Sequence, residues 1–108
     1  MFAEVKDTLP ISGDDYDAQI IREIKACALD LTTSAEIILP GTIAITRSAQ
    51  GVITDTSTLT DELIITAISI WCNMRIGNPP NYDSLLRAYE SLKGQLRLSK
   101  SYTGVVTV

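Results

Sequence analysis

The chain contains no histidine. That removes the commonest general base, the commonest metal ligand and the usual partner of a nucleophilic serine or cysteine. Its two cysteines, Cys27 and Cys72, are too few to hold a zinc ion unaided. They fall in different expected helices and read as small buried hydrophobes in a reducing compartment rather than as a disulfide. A GxGxxG turn, a P-loop and a G-x-S-x-G elbow are also missing. No stretch approaches the roughly 20 apolar residues of a membrane span. The start of the chain has no basic segment leading into an apolar run, as a signal peptide would. The expected location is therefore the cytoplasm, or an assembly built there. Basic residues are scarce: nine Lys and Arg, scattered singly, stand against 13 Asp and Glu, for a net charge of −4 at pH 7. A protein that grips nucleic-acid phosphates needs a basic patch, and none is visible. We expect no enzyme, no cofactor and no metal site.

What is present is a globular composition, 45% hydrophobic and 20% charged in 108 residues, which suits one domain. The expected class is mainly α: three main helices, a short N-terminal helix, and a short β-hairpin or extended loop between the first and second long helices. The domain is expected over residues 1–99, with an extended tail over 100–108.

The opening residues place Phe2, Val5 and Leu9 on one side of a short helix that Pro10 stops. From about Asp15 to Thr32, Tyr16, Ile20, Ile21, Ile24, Cys27, Ala28 and Leu31 recur at steps of three and four, one face of an amphipathic helix. Ala35 to Leu39 can add turns before Pro40-Gly41 breaks them. Two β-branched runs, Ile43 to Thr46 and Val52 to Thr54, flank Ser48-Ala49-Gln50-Gly51 and suggest the hairpin. The second long helix is expected from Thr60, as its cap, to about Ile76 with Gly77 closing it. The third is expected from about Tyr82 to Ser99, with Asn81 as its cap. Tyr82, Leu85, Leu86, Tyr89, Leu92 and Leu96 form its apolar stripe, Leu98 points away from it, and Asp83 with Arg87 is an i,i+4 pair of favourable sense.

The second long helix is unusual. Leu63, Ile64, Ile65, Ala67, Ile68, Ile70, Trp71, Cys72 and Met74 cover most of its circumference and leave Thr66, Ser69 and Asn73 as a narrow polar stripe. A helix apolar nearly all round is buried on several sides. The cover can come from its own bundle or from a neighbouring subunit, and both readings stand. On the second, the chain carries more apolar helix surface than a lone subunit can hide. The candidate interface residues are then Ile64, Ile65, Ile68 and Trp71, with Leu98 and, in the tail, Tyr102, Val105 and Val106. The alternating tail either adds a strand to a partner's edge or is plain disorder. The acidic groups Asp14-Asp15-Asp17 and Asp61-Glu62 read as negative charge offsetting helix dipoles rather than as acid–base chemistry.

The segment Thr60 to Arg75, the link Gly77-Asn78-Pro79-Pro80-Asn81-Tyr82 and the helix Leu85 to Arg97 carry a recognisable pattern. The telling pieces are that link, the Tyr-x-x-Leu-Lys step at Tyr89 to Lys93, and the ending Gln95-Leu96-Arg97. This pattern resembles the head–tail connector (adaptor) proteins of tailed bacteriophages. The front is similar too: Glu4-Val5-Lys6 to Leu9, an acidic turn at Asp14-Asp15, then an amphipathic helix. The segment Ser34 to Thr58 is the least like the family. The resemblance implies a homo-oligomeric ring of about twelve subunits, as cyclic symmetry allows. Such a ring sits beneath the portal protein in the virion neck, docks a stopper or tail-completion protein, and lets DNA pass without specific binding. It implies assembly in the bacterial host's cytoplasm and a C-terminal segment that reaches the portal. The alternative is a small helical regulatory module of antitoxin or transcription-cofactor type. That reading needs a basic recognition helix, and the last helix mixes Arg87, Lys93 and Arg97 with Asp83 and Glu90.

Overall fold

Asp61 begins the central helix. Its side chain accepts the backbone N–H groups of Leu63 at 3.0 Å and Ile64 at 3.1 Å, two of the donors a helix start leaves unpaired. The cap is therefore Asp61 and not Thr60, one residue later than the sequence suggests. In the computed structural model, which describes residues 1–11, 13–76, 79–99 and 102, the elements in order are α1 (Phe2–Asp7), α2 (Asp17–Thr33), β1 (Ile45–Arg47), β2 (Ile53–Asp55), α3 (Glu62–Arg75) and α4 (Tyr82–Leu98). The mainly helical class, with a small antiparallel sheet between the two helices on either side of it, is as expected.

Helix α3 is the axis of the molecule, with α1, α2 and α4 packed around it. Ile20, Ile24, Cys27 and Leu31 of α2 meet Ile64, Ile68 and Cys72 of α3 in one core, and Tyr89 and Leu96 of α4 complete it. Each such side chain, fully withdrawn from water, contributes roughly 1.5–3 kcal/mol. Helix α1 lays Phe2, Val5 and Leu9 on the same core.

The connection from α2 to the hairpin is not helical. Ser34 ends α2, and Glu36 takes a left-handed φ of 56° that no helix continues through. Ala35 and Ile37 are nonetheless buried, so the apolar run serves the core as an extended segment. Gly41, at φ 152°, lies so close to the following loop that a Cβ there would stand 2.7 Å from the Leu59 backbone, which only glycine tolerates. The hairpin pairs Ile45 with Asp55, Thr46 with Thr54 and Arg47 with Ile53. Ile45 is buried and Ile53 half-buried, so one face of this marginal ribbon rests on the core. Asp55 also accepts the backbone N–H of Phe2 at 2.8 Å, which ties the hairpin to α1.

Two smaller expectations are corrected. Asn81 sits at the α4 cap position, but its side chain makes no cap hydrogen bond. Asp83 and Arg87 form no ion pair; the salt bridge in α4 runs from Lys93 to Glu90 at 3.7 Å. Gly77 and, apart from Tyr102, the tail over 100–108 lie outside the described residues.

Candidate functional site

The acidic turn before α2 is structural. Asp17 is buried and accepts from Lys6 Nζ at 2.6 Å, while Asp14 takes the same ammonium at 3.3 Å. Burial works against the charged Lys6, but its hydrogen bond to Asp17 outweighs that and raises its pKa. The pair clamps α1 onto the start of α2. Among the described residues no group of three or more His, Cys, Asp or Glu is placed to hold a metal ion.

Both cysteines are buried free thiols on facing helices. Burial pushes the Cys27 thiol up to about 12, and burial raises Cys72 as well. A nucleophilic cysteine needs the opposite shift. Cys27 donates to the Tyr89 hydroxyl at 3.7 Å, and that hydroxyl donates in turn to Asp30. Lys93 reaches the same Asp30 oxygen at 3.3 Å, so one carboxylate on α2 anchors α4 at two points. Burial, and then the bond to Asp30, raise the Tyr89 pKa well above its ordinary value. This chain of groups joins α2 to α4.

The candidate interface residues divide. Ile64 and Ile68 have no exposed surface, and Ile65 retains 8%. These three belong to the protomer's own core and are withdrawn as contacts to a neighbour. The physical reason is that α1, α2 and α4 all pack on α3. The polar stripe of α3 is partly covered: Thr66 stays exposed, but Ser69 is buried with its hydroxyl bonded to the Ile65 carbonyl, and the half-buried Asn73 amide donates to the Ser69 carbonyl at 2.8 Å and to the Thr8 hydroxyl at 3.2 Å. Short polar side chains that satisfy themselves against the backbone can be buried under a small helix at little cost. That narrows the apolar surface α3 leaves to a neighbour to Leu63, which is 49% exposed, and the half-buried Ile70 and Trp71.

Trp71 is half-buried. Its indole N–H donates to Glu23 of α2 at 3.2 Å, its ring meets Tyr89 edge-on at 5.3 Å, and the Arg75 guanidinium lies 4.6 Å above it. Leu98 is 88% exposed, as its position off the stripe implied. Tyr102 is half-buried: its hydroxyl donates to Asp61 at 2.8 Å and its carbonyl accepts the N–H of Ile38. Val105 and Val106 lie outside the described residues.

Surplus apolar surface sits elsewhere than the sequence suggested. Tyr82 and Leu86, assigned to the core stripe of α4, are exposed. Tyr82 opens the helix, beyond the reach of the core, and Leu86 lies at the edge of the stripe. At the opposite end Ile38 and Leu63 are exposed near Leu98. Nothing in the local pattern marked Ile38, and Leu63 stood only as one of the apolar residues covering most of the circumference of α3. No known family model, curated protein or solved structure matches the chain.

Proposed function

We propose that the chain is a structural head–tail connector (adaptor) subunit of a tailed bacteriophage. On this reading it forms a ring under the portal that extends the DNA channel and docks the stopper or tail-completion protein. The observation that carries the reading is the pattern over Thr60 to Arg97, and its most distinctive step has a physical meaning. Tyr89 and Lys93 of the Tyr-x-x-Leu-Lys step converge on Asp30, and Leu96 of the Gln-Leu-Arg ending is the other fully buried anchor of α4. Those positions hold the last helix against the bundle, which is what a stacked building block requires. An acidic chain with scattered cations also suits a wall past which DNA slides, since tight phosphate binding would stall it.

The test is to express the chain with the portal protein encoded beside it and image the product by electron microscopy. The expected result is a ring of density capping the narrow end of the portal. A chain that ignores the portal, stays monomeric at high concentration and binds DNA tightly at physiological salt would falsify the proposal.

A further inference from the structure

Helix α4 ends at Leu98, and its cap Ser99 has left the helix with φ −89° and ψ 125°. Farther along the chain, Tyr102 is fastened at three points. Its N–H donates to the Ser99 carbonyl at 3.1 Å, its carbonyl accepts the Ile38 N–H at 2.5 Å, and its hydroxyl donates to Asp61 at 2.8 Å. Its ring is half-buried against the core. A single residue beyond α4 therefore ties together the link between α2 and β1, the start of α3 and the end of α4.

Two features make this fastening separable from the rest of the fold. The first is the way Asp61 divides its carboxylate. Its Oδ1 accepts the N–H groups of Leu63 and Ile64 and caps α3, while its Oδ2 accepts the Tyr102 hydroxyl. Withdrawing the tyrosine leaves the cap whole. The second is that the groups left behind are within reach of water. Ile38 is 63% exposed in a non-helical segment, and Asp61 is half-buried. Water can replace the tyrosine at both, so opening strands no polar group. A contact held by accessible hydrogen bonds and a half-covered ring opens locally, at a free energy well below that of global unfolding.

From this we propose that Tyr102 is a releasable latch. The segment beyond α4 has a docked state, held by Asp61 and Ile38, and a released state in which Tyr102 comes away while the four helices stay folded. The hydroxyl–carboxylate bond sets the balance between them, because a hydrogen bond to a charged acceptor is stronger than one between neutral groups. The device is a property of the single chain. It goes beyond the connector reading and stands or falls without a portal.

The experiment uses Tyr102→Phe, which keeps the ring and a residue that chymotrypsin cleaves but removes the hydroxyl. A second variant, Asp61→Ser, keeps a helix cap and removes the oxygen that Tyr102 uses. In hydrogen exchange followed by NMR, the wild-type Ile38 amide should be protected, yet exchange faster than the amides in the middle of α3. Each variant should speed it by about tenfold, the factor that about 1.4 kcal/mol represents. Chymotrypsin digestion read by mass spectrometry should show cleavage after position 102 about tenfold faster in Tyr102→Phe, since only a released residue fits a protease. Circular dichroism and the melting temperature of Tyr102→Phe should stay near those of the wild type. The double variant should behave like the faster of the two singles, because both lose the same bond. An unprotected Ile38 amide in the wild type, or one that exchanges only with global unfolding, overturns the latch. So do unchanged rates in Tyr102→Phe, or effects that simply add in the double variant.

Discussion

At the level of single residues, most of the chemistry that might be read as function is used for joining elements. Asp55 is an example. Burial opposes its charge, but the Ser57 hydrogen bonds, the Phe2 N–H and the N-terminal ammonium at 3.0 Å together hold its carboxyl well below the usual range. A carboxylate with a depressed folded-state pKa contributes stability that is complete above its unfolded value, about 3.9, and is lost as the pH falls toward the folded value. Acid titration followed by circular dichroism should therefore show the melting temperature dropping below about pH 4, and Asp55→Asn should flatten that part of the curve. The thiols carry a second expectation. With Cys27 and Cys72 buried and their pKa values raised, neither should react with a thiol reagent at pH 8 in the folded protein, and both should react after denaturation. Because folding disfavours the thiolates, they also subtract stability as the pH climbs past their ordinary value of about 8.5.

Among the elements, α3 explains both what was legible and what was not. Its existence, its acidic first turn and its all-round apolar character are plain from Thr60 to Ile76. What covers it is not, because the covering pieces lie far away in the chain. Thr8 meets Asn73 across 65 positions, and the core side chains of α1 come from the first nine residues. The same structure reverses an expectation for Ile65. If it faced a neighbour, Ile65→Asp would block assembly and spare folding. Since only 8% of it is exposed, the substitution should instead abolish the cooperative melt, with loss of the helical circular dichroism signal. Removing the cap should be milder: Asp61→Ala should cost about 1 kcal/mol, read from denaturant unfolding, with somewhat more lost because Tyr102 also bonds this carboxylate. Gly41→Ala should cost more than an ordinary surface change, as its Cβ would press on backbone and not on a yielding side chain. The stretch Ala35 to Leu39 shows the limit of periodicity: a short apolar run fits a helix turn or an extended segment equally, and the left-handed Glu36 decides for the latter.

For the molecule as a whole, the notable quantity is where unsatisfied apolar surface remains once α1, α2 and α4 have enclosed α3. Leu29 and Val52 stand apart as single exposed side chains, which soluble proteins commonly show. Tyr82 and Leu86 on α4 and Leu63 in the first turn of α3 are exposed too, while Trp71 is half-buried.

Local pattern was enough to establish the helices, the hairpin's position, the absence of histidine chemistry and the outward turn of Leu98, because periodicity, capping residues and composition act over a few positions. The partners of α3, the burial of Ser69, and the exposure of Tyr82, Leu86 and Ile38 were decided only by the tertiary structure. Whether an apolar side chain is covered depends on which distant segment folds across it, and a helix stripe records which way a residue points, not how far the core extends to meet it.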